Sequence, residues 1–158
     1  MPSNERRIGA IADDPTNRRI AEELQRDARL SLAELGRRVG LSSPAVAERV
    51  QRLESEGVIA GYRAALDPRA FGYALTTIIR VRPAPRQLPK VADVARRAGE
   101  VVECHRITGE DCFFLKAHVR DVAHLEELID RFTPFGQTTT SIVQSSPVPA
   151  RGLSLHSD

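Results

Sequence analysis

Two helix starts separated by one tight turn, in the stretch Ser31 to Gly57 (SLAELGRRVGLSSPAVAERVQRLESEG), constrain this chain more than any other feature. Ser31 followed three residues later by Glu34 is a capping box, in which side chain and backbone satisfy each other's unpaired donors. Leu32, Leu35 and Val39 then fall at i, i+3 and i+7, the apolar stripe of a short helix. Gly40 stands where a left-handed residue stops a helix. After Leu41 and Ser42, Ser43 is placed to cap a second helix with Pro44 at its first position, where a missing N–H costs nothing. Val46, Val50 and Leu53 repeat at i, i+4 and i+7, and Gly57 ends the run. Two short helices joined by a Gly-containing turn make a helix-turn-helix.

A plain helical hairpin inside some unrelated core would show the same caps. The polar face of the second helix argues against it. At about 100° per residue, Ala45, Glu48, Gln51, Arg52 and Ser55 gather opposite the narrow apolar stripe, with Arg49 at their edge. Short side chains near the start and arginines further along suit entry into a DNA major groove, base edges first and phosphates later. Ser43, Pro44, Ala45, Glu48, Arg49 and Arg52 are therefore candidate DNA contacts. Arg37 and Arg38, on the preceding helix, are solvated side chains within reach of phosphate.

Charge qualifies that reading. The formal net charge of +2 over 158 residues argues nothing about partners. From Asp13 to Ala60, however, eight Arg stand against nine Asp or Glu, a local net charge of 8 − 9 = −1. One such head should bind DNA weakly in the non-specific, salt-dominated mode, so affinity calls for several copies per assembly. Cys104 and Cys112 show no metal-ligand spacing and no C-x-x-C, the pattern of reduced thiols in the cytosol. No metal and no cofactor is expected. There is no apolar run of about 18 residues and no signal-peptide pattern, so a cytoplasmic protein is expected, nucleoid-associated through the DNA contacts above.

Around the helix-turn-helix the chain parses as follows. Residues 1–13 carry no apolar period and are expected to be a loose arm. Asp14 and Pro15 read as the cap and first position of a helix with Ile20 and Leu24 inward, completing a trihelical head over 14–60. The segment VIAGYRAALDP is short and partly β-prone, a small strand or hairpin, with a hinge over 61–73.

From residue 74 to residue 150 the elements alternate. Strands are expected at Leu75 to Val81, Val101 to Thr108, Cys112 to Val119 and Thr138 to Gln144, with helices at Leu88 to Ala98 and after Asp121. Residues 151–158 form a tail. The order β-α-β-β-α-β is the ferredoxin-like split arrangement, with both helices on one face of an antiparallel sheet. Ile78–Ile79, Val101–Val102 and Phe113–Phe114–Leu115 are adjacent apolar residues, and strands that lose their alternation are buried on both faces. With helices for one side only, the cover for the other is a second copy of the sheet. A homodimer follows, whose heads would meet two half-sites about one helical turn apart or multiples of it.

Taken together, RVGLS-P, Glu48-Arg49-Val50 with Arg52-Leu53-Glu54, Gly57-Val58-Ile59-x-Gly61-Tyr62, and Glu103-Cys104-His105 followed by Thr108-Gly109 resemble the Lrp/AsnC family of bacterial transcription regulators. The resemblance runs from about Asp14 to Val148. It implies an α+β chain: a winged helix-turn-helix joined by a β-hinge to an amino-acid-sensing domain of ferredoxin-like fold. It implies dimers that assemble into octamers as tetramers of dimers, bind DNA at several sites and bend it. It also implies an amino-acid effector held near the hairpin after the sensing domain's second strand, across from the start of its last strand. By position those residues are Gly109, Glu110, Asp111 and Cys112, with Thr138, Thr139 and Thr140 opposite. The family's hairpin reads Gly-Asp-x-Asp before an aromatic residue. Here Cys112 takes the second acidic position, while Asp111 adds a carboxylate one residue earlier.

Sharper chemistries find less support. Cys104 and His105 are strand neighbours and point to opposite faces, which does not suit a nucleophile and its base. His118 and His124 lack further ligands for a metal. The function expected is an effector-modulated, sequence-specific DNA-binding regulator and not an enzyme. The alternatives are a nucleoid-organising protein with little effector response, or a small-molecule sensor or enzyme without DNA binding.

Overall fold

The computed structural model describes residue 9 and residues 11–155. The chain divides into two compact units, Met1–Ala64 with Val148–Asp158, and Ala65–Pro147.

In the first unit, three helices follow the local signals: α1 (Pro15–Arg26), α2 (Leu32–Val39) and α3 (Ser43–Ser55). Asp14 caps α1 by accepting from the Thr16 and Asn17 N–H groups at 2.8 and 3.1 Å. Ser31 Oγ accepts from the Glu34 N–H at 3.1 Å, while the Glu34 carboxylate turns to Arg37 and Arg38 rather than back to Ser31. Gly40 ends α2 with φ 76°. The cap of α3 is Ser42, one residue earlier than expected: its Oγ accepts from the Ala45 N–H at 3.4 Å, and Ser43 and Pro44 are already helical. The turn closes early because the Leu41 N–H donates to the Gly36 carbonyl at 2.8 Å. That contact also requires the glycine, since a Cβ on Gly36 would lie 2.6 Å from the Leu41 carbonyl oxygen.

Ile20, Leu35, Val46 and Leu53, at most 1% exposed, form the centre of this unit. Two expectations change at its margins. The arm expected over residues 1–13 lies outside the described residues at 1–8 and at 10. Ile11, however, is helical and buried in this core, because the Asn17 side chain donates to its carbonyl at 2.9 Å and α1 shelters it. The end of the chain returns to α1, where the Gln25 side-chain amide both donates to the Leu153 carbonyl (3.1 Å) and accepts from its N–H (2.7 Å). The strand expected in VIAGYRAALDP does not form, and no β-wing is built: residues 60–67 carry no regular structure. A strand needs a partner for its backbone groups, and this segment has none among the described residues.

The second unit holds β1 (Leu75–Pro83), α4 (Leu88–Arg97), β2 (Val101–Arg106), β3 (Phe113–Val119), α5 (Val122–Asp130) and β4 (Gly136–Ile142). The sheet order is β2-β3-β1-β4 with every neighbour antiparallel, the expected ferredoxin-like arrangement. Ile79 and Val81 of β1 pair with Leu115 and Phe113 of β3, and all four are buried beneath Val91, Ala95, Leu128 and Phe132. The strands alternate more strictly than their apolar pairs suggest. Thr76, Ile78, Arg80, Phe114, Lys116 and His118 take the opposite face, and no layer covers it among the described residues. Adjacent apolar residues here mark two faces of unequal shelter.

Behind the sheet, Glu100 ties the start of β2 to α5. Its Oε1 accepts from Arg131 and lies 3.0 Å from His124 Nε2, while His124 Nδ1 accepts from the Arg120 N–H at 3.2 Å. That backbone donor leaves Nε2 as the ring nitrogen that faces Glu100 with a proton to donate. The Arg131 hydrogen bond, reinforced by His124, holds the Glu100 carboxyl at about 2, far below its ordinary 4.5.

Candidate nucleic-acid interface and ligand turn

The exposed surface of α3 carries the residues expected to meet DNA, though not all are equally free. Ser43, Pro44, Glu48 and Arg52 are exposed and Ala45 is half-buried. Ala45, Glu48, Arg49 and Arg52 line one cleft of about 400 Å³ with Ile11, Asp14 and Asn17. Arg49 points into the protein: its guanidinium lies 3.1 Å from Asp14 Oδ2 and donates to Asn17 Oδ1 at 2.8 Å. The backbone N–H of Asn17, and then Arg49, hold the Asp14 carboxyl below its ordinary range. Arg49 thus braces α3 against the capped start of α1. It positions the reading helix whatever else it touches.

On α2, Arg37 pairs with Glu34, and Arg38 pairs with both Glu34 and Glu23 at 2.8 Å. Exposed pairs of this kind contribute little to stability, so phosphate can compete for either arginine. Arg52 differs. Its guanidinium meets no acidic or acceptor group among the described residues, which leaves a charged fork aimed at solvent from the face that also holds Glu48.

In the second unit, the Ile107 N–H donates to the Cys112 carbonyl at 3.0 Å and closes the turn between β2 and β3. Gly109 takes φ 102° there, a conformation that side chains resist. Two residues not expected from sequence meet this turn. Arg80 lies 3.4 Å from Asp111, and Arg82 pairs with Glu110. Both arginines belong to β1, two positions apart and so on one face. The signal was present in the strand's RVR spacing, but only the register of β1 against β3 brings it to the turn.

The three threonines divide. Thr139 stands opposite Arg80 and shares its face, whereas Thr138 and Thr140 stand opposite the buried Val81 and Ile79 and turn toward the helices. Thr140 Oγ1 is buried without a hydrogen-bond partner among the described residues. Of the three threonines, Thr139 is thus the one that shares the outer face with Arg80, the arginine beside Asp111. Cys112 is half-buried with its thiol 4.0 Å from the Glu110 carbonyl. Among the described residues, no group of three His, Cys, Asp or Glu converges as a metal site would. No helix among them is long and apolar enough to cross a membrane.

Residues 14–54 match the AsnC-type helix-turn-helix domain, and residues 76–153 match the Lrp/AsnC ligand binding domain. The HTH-type transcriptional regulator LrpC of Bacillus subtilis is 33% identical over 132 residues, covering 84% of this chain and 92% of its own. The leucine-responsive regulatory protein of Escherichia coli is 36% identical over 119 residues, 73% of each chain. A solved feast or famine regulatory protein from Mycobacterium tuberculosis, complexed with L-methionine, superposes with a TM-score of 0.83 at 33% identity, over 89% of this chain and 97% of that one. Sequence and fold agree along both units: the chain belongs to the Lrp/AsnC family of transcriptional regulators.

Proposed function

We propose that this chain is a sequence-specific DNA-binding transcriptional regulator, not an enzyme, and that a free amino acid modulates its assembly or its grip on DNA. The observation that carries the DNA reading is the unpaired Arg52 beside Glu48 on the exposed face of a capped helix whose opposite face is buried. Arg donors suit guanine or phosphate, and Glu can accept from cytosine. Ser43, Pro44 and Ala45 would approach the backbone at the start of the helix, with Arg37 and Arg38 flanking. The acidic balance of the head makes two or more heads per assembly necessary, and the uncovered face of the sheet supplies the homodimer. An octamer as a tetramer of dimers is the larger form, in the cytoplasm on the nucleoid.

For the effector, a zwitterion needs donors for its carboxylate and acceptors for its ammonium. Arg80 and Arg82 offer the first, Glu110 and Asp111 the second, with Gly109 shaping the turn and Thr139 nearby. L-methionine occupies relatives of known structure from M. tuberculosis and Neisseria meningitidis. One observation favours a second reading, a nucleoid-organising protein with little effector response: both carboxylates of the turn are already taken by arginines. Two measurements decide. Fluorescence anisotropy with the chain's own promoter region and with random DNA at physiological salt should show a preference for the former; equal affinity overturns the regulator. A thermal-shift screen of the twenty amino acids should raise the melting temperature with at least one, because a ligand that binds only the native state stabilises it. A flat screen leaves the nucleoid reading standing.

A further inference from the structure

After β4 the chain keeps its hold on the sheet through one more bond, from the Val143 N–H to the Thr76 carbonyl at 2.9 Å. From Gln144 to Gly152 it is exposed and carries no regular structure. Pro147 and Pro149 fix two φ angles there, which stiffens the span. It is caught again at α1. The Gln25 side-chain amide donates to one backbone group of Leu153 and accepts from the other, as a neighbouring strand would. Only an amide does both, since a carboxylate cannot donate and an ammonium cannot accept. Gly152 permits the approach: a Cβ there would lie 2.6 Å from Gln25 Oε1 and 3.2 Å from the Gln25 Cβ. Further on, half-buried Leu155 lines a groove of about 860 Å³ with Leu24, Leu53, Val58 and Ile59.

We propose that Gln25 and Gly152 are positioning residues for DNA recognition: by clasping the tail to α1 they give the head a second tether, which confines the direction in which α3 is presented. The chain leaves the head after Ala64 and returns to it at Val148. The outgoing segment, residues 60–67, has no regular structure, so alone it would let the head turn about its backbone bonds. The clasp closes the two paths into a ring. A ring turns only where both arms can move together, and here one arm is stiffened by prolines.

The consequence rests on the reading given above, two heads on two half-sites. When one head is bound, the second binds at an effective concentration set by its freedom of movement. A confined head meets one spacing of half-sites well and others badly, whereas a free head meets all of them moderately. The clasp acts on DNA without touching it. Ala45, Glu48, Arg49 and Arg52 line the cleft on the reading side, and Gln25 and Leu153 line the other groove. Ile20, Leu35 and Val46, at the centre of the head, owe nothing to the clasp, so its loss should change orientation and leave the helices folded.

The test uses the full chain. Footprinting on its promoter region locates the half-sites. Fluorescence anisotropy then compares the native duplex, a duplex with the half-sites moved apart by half a helical turn, and a single half-site. Wild-type protein should favour the native spacing. Gln25→Ala and Gly152→Val should each weaken that binding roughly three- to tenfold, narrow the difference between the two spacings, and leave the single half-site as it was. Because both break one clasp, the two together should be no worse than either alone. Hydrogen exchange reads the clasp directly: the Leu153 N–H should exchange more slowly than that of Ser154 in the wild type and just as fast in both variants. A Leu153 N–H that is no slower, variants that keep the full spacing preference, or variants that weaken the single half-site as much as the pair overturn the proposal. A wild-type chain without sequence preference overturns the regulator reading and this proposal with it. Sequence preference with an unaltered spacing dependence overturns this proposal alone.

Discussion

The two units spend their apolar residues differently. The helical head folds its largest aliphatic side chains inward from three sides, with Ile20, Val46 and Leu53 wholly buried, and shows the solvent a mostly polar surface on α3. The sheet unit seals one face with α4 and α5 and leaves Ile78, Phe114 and the edge residue Val102 short of shelter. A unit that closes over its own core can present a reading helix as a finished surface. A unit that leaves one side uncovered offers the surface on which the proposed dimer would close. The surface proposed for DNA is complete in a single chain, and the one proposed for the dimer is not.

The largest effects should come from the cores. Leu53→Ala removes a wholly buried side chain from the head and should cost about 2–5 kcal/mol. Calorimetry should show the head melting earlier with the sheet's transition in place; a single joint transition would erase the contrast between the units. Next, Phe114→Glu puts a charge on the uncovered face while leaving the inner core untouched, and it should lower the mass in sedimentation with little change in the sheet's melting temperature. A loss of folding without a loss of mass would mean that the face is structural.

Smaller, and specific to the head, Arg52→Ala should weaken specific DNA binding by about 1–3 kcal/mol, roughly 10- to 100-fold, with circular dichroism unchanged. Arg49→Ala should instead lower the head's melting temperature, because it releases Asp14 and Asn17. The pair of variants separates contact from positioning. Smallest is the acid limb of the sheet unit. The Glu100 carboxyl sits at about 2 against an ordinary 4.5, so its contribution is complete above 4.5 and is lost as pH falls toward 2. Glu100→Gln should therefore flatten the decline of the sheet's melting temperature in that window and leave the head's profile as it was.

What could be read in the sequence follows from the range of the forces involved. Asp14, Ser31, Gly40 and Asp121 act within four residues of themselves, and each caps or ends its helix in the fold as its spacing implied, although Glu34 does not complete the box with Ser31. The β-α-β-β-α-β order was equally legible, because stripes and breakers are local too. The cap of α3 slipped by one residue because the turn is decided by Gly36 against Leu41, a contact between elements. Arg49 was read as a helix-edge side chain, and its tie to Asn17 depends on how α1 crosses α3. Arg80 and Arg82 were missed because register, not composition, carries them to the turn. The strand expected near Tyr62 carries β-prone residues but needs a partner, and none lies beside it among the described residues. Instead, burial and the Glu54 carboxylate, to which the hydroxyl donates at 2.8 Å, push the Tyr62 phenol up to about 12.

The clasp between Gln25 and Leu153 joins residues 128 positions apart, whereas the tie from Arg49 to Asp14 within the helices spans 35. During synthesis α1, α2 and α3 can pack as soon as they leave the ribosome, but α1 meets its last partner only after the whole sheet unit has been made. The head is therefore the first part to take shape and the last to be completed.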